Sequence, residues 1–551
     1  MLRVFRHDIL DPGKFVITLE LVPGRESKGR QIDTVLQMAS DAYADGRISA
    51  VSITDNPGGN PSLSPDGLGY EIFRFGMDVI VHFTCRDSNR IGMESRAWQL
   101  DRMGMKNLLA LTGDYSGRGF GGQGKPVFDL DSVNLICALH LMSRKFEERG
   151  DPEGFLIGCA VSPFKSTEAE AFAQYAKLCR KAAAGAHFAI TQLGYDARKF
   201  QELLQVQRDF DTKIPTLASV YHLTPGVAQV MNSGKIPGVV VTDKLLQKVR
   251  EEWSNKQAGR KAAIERSAKL IAMVKGLGYR GVHISGIHQS FETVVRILDR
   301  SAQIEHQWTE FLPEFDFPQE NGFYAYKKDQ KTGLSTDEPN AFRSSTSRLE
   351  RIGYKWFKHT HDFLFAFDSP LARMLSAVAA RMDKRRPGHL VMRVVEDSAK
   401  TVLLGCRRCG DCAIQHVAFL CPESQCPKHI RNGPCGGSRD GRCEVRPERH
   451  CVWYRAYKRL AAVGETRELA FGCVPPRMWE LNRTSSWLNF HMRRDHQSMG
   501  IEIASACGLC RCRIPAAFRA GKESETGTGL MKEHERREVD GRGAENPFPE
   551  L

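Results

Sequence analysis

The chain has 551 residues, 41% of them hydrophobic and 26% charged, and a formal net charge of +13. That length allows two or three domains, and the balance is that of a globular protein rather than a fibrous or disordered one. No apolar run approaches the ~20 residues needed to cross a bilayer, and the start, MLRVFRHDILDPGKF, has neither an apolar core nor a small-residue cleavage site. No secretory leader and no membrane partner are therefore expected, and the expected location is cytoplasmic. Basic residues are scattered apart from one run at 381–386, and they read as solvated surface.

In chain order, eight short runs rich in β-branched residues alternate with amphipathic stretches. They are FVITLE (15–20), ISAVSIT (48–54), VIVHFTC (79–85), NLLALTG (107–113), FLIGCAV (155–161), HFAITQ (187–192), PTLASV (215–220) and GVHIS (281–285). Between the first two, QIDTVLQMASDAYADG (31–46) puts Ile32, Val35, Leu36, Ala39 and Tyr43 on one helical face and stops at Gly46. AEAFAQYAKLCRKAAAG (169–185) also ends on glycine. Alternating strands and helices predict a parallel sheet, and eight units predict an α/β fold, a (β/α)8 TIM barrel, over 1–305. A doubly wound sheet would have fewer strands and an early dinucleotide fingerprint, which is missing.

In such a barrel, chemistry sits at the C-terminal ends of the strands. Those ends carry Glu20, Thr54 with Asp55, His82 with Thr84, Asp114, Ser162, Gln192, Tyr221 with His222, and Ser285 with His288. So many polar groups exceed what rim capping needs.

Residues 306–400 read as a less regular connector with a helix at 369–385. A cysteine-rich, metal-binding domain is expected over 401–515, and a disordered polar tail over 516–551. Cys406, Cys409 and Cys412 form C-x2-C-x2-C, and Cys421, Cys426, Cys435, Cys443 and Cys451 follow. In a reducing compartment this spacing suits a metal better than disulfides. Eight thiolates make two four-cysteine sites, and the spacing leaves zinc and [4Fe–4S] both open. Cys507, Cys510 and Cys512 read as free thiols, or as a third site if Cys473 joins them.

The segments TLELVPG, VSITDNPGG, VHFTC, LALTGD and AITQLGYD occur in that order at the strand ends. Together, over about residues 12–305, they resemble the methylenetetrahydrofolate reductase family. That family interconverts 5,10-methylenetetrahydrofolate and 5-methyltetrahydrofolate with FAD carrying the hydride. The resemblance implies that Glu20 is the general acid that protonates N10 of the folate, with its pKa raised by a partly desolvated barrel mouth. It implies that Asp114 stabilises the resulting cation and that Gln192 contacts the folate. It places Thr54, His82, Thr112, Gly113 and Asp114 along the flavin, and Arg180 with Lys181 near its diphosphate. The glycine-rich loop 115–127 becomes a mobile cover over the flavin. NAD(P)H or another reductant is the implied electron donor.

Several positions depart from the family pattern. LELVPG replaces an aromatic-rich FEFFPP, Asp55 replaces an aromatic residue, Thr112 replaces an arginine before Gly-Asp, and Gln289 stands where an arginine is common. These changes bear on the electron donor more than on the folate.

The stretch CGDCAIQHVAFLCPESQCPKHIRNGPCGGSRDGRCEV, with CVWYRAYKRL and SSWLNFHMRRDHQ, is similar to the C-terminal domain of some bacterial methylenetetrahydrofolate reductases, over about 401–495. In acetogens that domain is a separate zinc or iron–sulfur partner subunit. A folate substrate, a redox partner protein and a homo-oligomer are the partners implied. A nucleic-acid partner is not, because it would leave Glu20, Asp114 and Gln192 without a purpose. The rival reading is a barrel without catalysis that serves as a metal-binding electron-transfer or accessory protein.

Overall fold

The computed structural model describes residues 4–498 apart from 152, 341–345, 366–369 and 385. The candidate thiols Cys507, Cys510 and Cys512 and the tail 516–551 lie outside the described residues.

All eight expected strands form the barrel. They are β1 (Val16–Leu21), β2 (Ala50–Ile53), β3 (Val79–Thr84), β4 (Asn107–Leu111), β5 (Leu156–Val161), β6 (Phe188–Thr191), β7 (Thr216–Tyr221) and β8 (Gly281–Ser285). Each pairs in parallel with its neighbours, and β1 closes the ring against β8 with Val16 opposite Gly281 and Thr18 opposite His283. Closure needs the glycine, because a Cβ at Gly281 would stand 2.0 Å from the Val16 carbonyl oxygen.

The N-terminal end of the barrel is plugged. Phe5 and Ile9, on the helix Val4–Leu10, are fully buried among Val16, Ile80, Leu156, Phe188 and Leu217. Phe5 meets Phe188 edge-on at 5.3 Å, and burying a side chain of that size contributes about 1.5–3 kcal/mol. The floor is thus apolar, and the polar strand ends lie at the opposite mouth.

Helix Arg30–Asp45 stops at Gly46 in the left-handed conformation, as its sequence predicts. Helix Glu168–Ala183 is capped at its start by the Thr167 hydroxyl and ends at Ala184, with Gly185 left-handed just beyond. The glycine-rich loop contains a small hairpin, Arg118–Gly119 paired with Gly122–Gln123. The connector is more regular than expected. It holds the hairpin Tyr326–Lys328/Ser335–Pro339 and the helices Arg348–Phe365, Pro370–Asp383 and Arg386–Leu404. Its apolar residues hide this regularity, because Leu349, Ile352, Trp356, Val394 and Val402 are exposed instead of forming a core face.

The cysteine-rich segment packs directly on the barrel. Helix Val452–Ala461 lies on helix Glu168–Ala183, where the Tyr457 hydroxyl donates to Glu168 Oε1 at 2.7 Å and its ring stands 5.1 Å from Phe172. Asp131 joins the two parts. Its Oδ1 caps helix Ser132–Glu148 through Val133 and Asn134, and its Oδ2 accepts from the Arg431 and Asn432 amides at 3.2 and 3.0 Å. Among the described residues no helix is long and apolar enough to cross a membrane.

Candidate active site

Side chains alternate along a strand, so residues two apart share a face. On β1 that rule turns Thr18 and Glu20 the same way, on β2 Ser52 and Thr54, and on β3 His82 and Thr84. The outcome is one cavity of about 320 Å³ at the C-terminal mouth, lined by Glu20, Thr54, His82, Thr112, Gly113, Asp114, Lys181 and Gln192 among others. Of the barrel residues named from the sequence, Arg180 and the strand-end residues Tyr221, His222, Ser285 and His288 do not border it.

Glu20 does not stand alone. His283, on β8, places Nε2 at 3.8 Å from Glu20 Oε2 and 3.5 Å from Ser52 Oγ. Its Nδ1 lies 2.8 Å from Thr18 Oγ1, which itself donates to the Val282 carbonyl at 3.3 Å. The Nε2 of His283 faces the Glu20 carboxylate. Burial pushes the Glu20 carboxyl up, but the nearby His283 imidazole, with His82 and His288 behind it, holds it below its ordinary value. This corrects the expectation of a raised carboxyl. The cause is a histidine two residues before the end of its strand, where a count of strand ends passes over it.

His82 behaves differently. Burial, above all, drags its imidazole down to about 4, and its Nε2 has no partner among the described residues. It is a neutral ring presenting one nitrogen to the cavity. Thr54 Oγ1, Ser162 Oγ and Gln174 Nε2 are likewise buried beside the cavity without a partner. Unpaired buried polar atoms are costly unless something fills the space.

Asp114 follows a tight turn. Gly113 has φ +88°, and a Cβ there would stand 3.2 Å from the Thr84 Cβ, so the approach requires glycine. Asp114 Oδ2 accepts from the Gly58 amide at 3.1 Å. Thr112 spends its hydroxyl on Ser132 at 3.2 Å, and Gln192 turns Oε1 back to the Leu193 amide at 2.9 Å, leaving Nε2. Asp55, where the sequence departs from the aromatic pattern, is held by Arg96 at 2.9 Å and by the Thr84 hydroxyl at 3.0 Å. Lys181 Nζ donates to the Ala160 carbonyl at 2.5 Å on the cavity wall. Arg180 turns away from the cavity and donates to the Glu468 carbonyl at 2.8 Å.

The far wall comes from the cysteine-rich segment. Lys428, Cys435, Gly436, Gly437 and Glu444 line the same cavity. Lys428 Nζ donates to the Gly113 carbonyl at 2.7 Å and is ion-paired with Glu444, which also accepts from the Cys435 thiol at 3.1 Å. Nothing local in the sequence announces this contribution, because the barrel carbonyl that Lys428 meets lies 315 residues earlier in the chain.

The eight cysteines fall into two groups. Cys406, Cys409, Cys412 and Cys421 line one small cavity of about 20 Å³. Cys426, Cys435, Cys443 and Cys451 are near enough to perturb one another's ionisation. Thiols are suitable ligands for zinc or iron. Their sulfurs are nevertheless not gathered around common points, because no three lie within 4.8 Å of one another. Cys409 and Cys435 instead hydrogen-bond to the Asp411 carbonyl and to Glu444. Among the described residues the group that meets this distance is Asp411, Asp495 and His496. It is already satisfied internally: His496 Nδ1 lies 2.5 Å from Asp411 Oδ1, and Arg431 takes Oδ2 at 2.8 Å. Cys473 sits at the seam with the barrel, 3.6 Å from Asn134 Nδ2.

A family model described as methylenetetrahydrofolate reductase matches residues 6–302, and one described as methylene-tetrahydrofolate reductase C terminal matches residues 389–480. A probable methylenetetrahydrofolate reductase (NADPH) of Caenorhabditis elegans is 25% identical over 244 residues, covering 43% of this chain and 34% of that protein. The chain thus spans about a third of the length of that curated relative. Among solved structures, an uncharacterized Clostridium thermocellum protein that binds two copies of 5-methyl-5,6,7,8-tetrahydrofolic acid aligns at 11% identity over 55% of this chain and 99% of its own, with a TM-score of 0.37. A Yersinia pestis DHPS with a pterine-sulfa conjugate aligns at 12% over 53% of this chain and 95% of its own, with a TM-score of 0.31.

Proposed function

Because the chain belongs to the methylenetetrahydrofolate reductase family, we propose that it interconverts 5,10-methylenetetrahydrofolate and 5-methyltetrahydrofolate by flavin-mediated hydride transfer at the barrel mouth. The observation that carries this reading is that Glu20, Thr54, His82, Asp114 and Gln192 border one cavity, with unpartnered polar atoms beside them. Those atoms suit the hydrogen-bonding edge of a flavin ring and its ribityl chain. A flavin bound there would supply the hydride.

The chain's own residues do the rest. Glu20 passes N10 its proton and, held below its ordinary value by His283, gives that proton up readily. When N10 takes it, the bond from the bridging carbon to N10 breaks and positive charge develops at N5. Asp114 stabilises that charge in a mouth from which the C-terminal segment excludes water. Gln192 Nε2 is free to donate to an acceptor on the pterin. In the opposite direction the same groups take the proton back from N10.

The test is a visible spectrum of the purified chain followed by anaerobic mixing with folate. Bound flavin that is reoxidised by 5,10-methylenetetrahydrofolate is expected. A chain that binds no flavin on reconstitution would instead favour the accessory-protein reading.

A metal in each cysteine group is the second part of the proposal, supported by the thiol chemistry and by the common cavity shared by four of them. Burial pushes the Cys426 and Cys451 thiols up to about 11 and 12, so loading a metal releases protons and weakens as pH falls. Zinc and iron should be measured on the same preparation across a pH series. Absence of both metals at every pH would leave the cysteines as hydrogen-bonded thiols.

A further inference from the structure

Two carbonyls flank the Cα of Asp114, and both are held. Arg86 Nη1, from the barrel, donates to the Asp114 carbonyl at 3.4 Å, and Lys428 Nζ, from the C-terminal segment, donates to the Gly113 carbonyl at 2.7 Å. Among the described residues Lys428 alone donates to the Gly113 carbonyl. Gly113 lies past the end of β4 in the left-handed conformation, so no strand ladder fixes its peptide. The direction of that peptide sets where the Asp114 side chain starts.

Lys428 is itself fixed. Its side chain is 3% exposed, and it sits in a tight turn in which the His429 amide donates to the Cys426 carbonyl at 3.1 Å. Its ammonium is ion-paired with Glu444. A Cβ on Gly437 would overlap that carboxylate, so the glycine leaves room for the pair. The ammonium also stands 5.7 Å from the centre of the Phe128 ring, which stacks at 6.2 Å on Tyr115, the residue after Asp114.

The segment that carries the lysine does not ride loosely on the barrel. Lys165 Nζ donates to the Gly436 and Ser438 carbonyls at 2.5 and 2.6 Å, and Lys177 Nζ to those of Gly433 and Pro434 at 3.2 and 3.0 Å. Asp131 holds the segment through two amides, and the fully buried Asn432 donates to Asn134 Oδ1 at 3.2 Å. A support this firm imposes its own position on what it touches. Misplacing a catalytic group by about 1 Å can cost about 10²-fold in rate.

We propose that Lys428 is a positioning residue for the reaction: by holding the Gly113 carbonyl it sets the aim of the Asp114 carboxylate, so the C-terminal segment completes the barrel's chemistry. The inference rests on the role given to Asp114 above. In the full-length chain, flavin reduced with dithionite should be mixed anaerobically with 5,10-methylenetetrahydrofolate over a range of concentrations. In Lys428→Met the limiting rate of flavin reoxidation is expected to fall about 10–100-fold, while the folate concentration that gives half of it changes less than about twofold. Asp114→Asn should lose about 10²–10³-fold. Adding Lys428→Met to Asp114→Asn should cost less than about a further twofold, because the carboxylate that Lys428 aims is gone. Lys428→Met leaves Glu444 without its cation, so Lys428→Met/Glu444→Gln, which buries no lone charge, is measured beside it and should show the same losses. Equal losses with and without the Asp114 carboxylate would make Lys428 merely structural and overturn the proposal, as would an unchanged limiting rate. A raised half-saturating concentration at an unchanged rate would make it a folate-binding residue instead. Full folate reduction by Asp114→Asn would overturn the role of Asp114 and the proposal with it. No reoxidation by the wild-type chain would overturn the functional reading itself.

Discussion

Replacing Glu20 with Gln is expected to lower the rate of folate reduction by about 10²–10⁴-fold, the usual span of general acid–base catalysis. The amide preserves the shape and the neighbours of the carboxyl but has no proton to give N10. Reduction of the bound flavin by its donor involves no N10, so that half of the cycle should continue at the parental rate. Stopped-flow measurement of the two halves separates these effects. His283→Ala supplies a second reading of the same pair. Burial raises the Glu20 carboxyl and His283 pulls it below its ordinary value, so without His283 the carboxyl titrates higher. The limb of the pH–rate profile that belongs to Glu20 should therefore move to higher pH in His283→Ala. Full folate reduction by Glu20→Gln would remove Glu20 as the acid, and an unmoved limb in His283→Ala would remove the coupling.

The largest effect on stability is expected at Asp411. Its carboxylate is fully buried and receives Arg431 at 2.8 Å, the Met478 amide at 3.1 Å, and both the amide and Nδ1 of His496. Removing one partner from a buried ion pair costs about 3–5 kcal/mol, because the other charge is left without compensation. Asp411→Ala should lose that much in denaturant unfolding, although Glu423 retains a second contact to Arg431 at 3.3 Å. Asp411→Asn keeps the shape and should cost less. Burial alone would raise the Asp411 carboxyl, but His496 and Arg431 outweigh it and hold it well below the carboxylate range. A carboxyl depressed in the folded state contributes stability that is complete above its unfolded value of about 3.9 and drains away as pH falls below it. The wild-type chain should therefore lose stability more steeply below about pH 4 than Asp411→Asn does. A loss under 1 kcal/mol in Asp411→Ala would mean that this network carries little of the fold.

The barrel was legible because its information is local. Eight β-branched runs at regular spacing can hardly be read otherwise, and each strand end then names its own polar residue. His283 was hidden by the same rule that revealed the others. In GVHIS it sits before the strand's end, and only the pairing of Thr18 with His283 shows that it reaches Glu20. Lys428 and Glu444 carry no local signal at all. Their role comes from a segment that folds back over residues distant in sequence. Of the helices of 348–404, the one at Pro370–Asp383 was expected, whereas Arg348–Phe365 and Arg386–Leu404 were missed because apolar residues on them face outward, so the periodic pattern does not mark a buried face. In the cysteine-rich stretch, spacing suggested ligands but could not divide eight thiols into groups, a property of the folded chain.

The contacts that close the mouth also have an order in time. Lys165 meets its carbonyl partners 271 and 273 residues further along the chain, and Lys177 meets its own after 256 and 257. At the roughly 5–20 residues per second of protein synthesis, such separations amount to about a quarter of a minute to a minute. For that interval the barrel residues have left the ribosome while the wall that completes their cavity has yet to be made. Whatever fills the cavity thus has its widest doorway during translation, before the chain's last third arrives to narrow it.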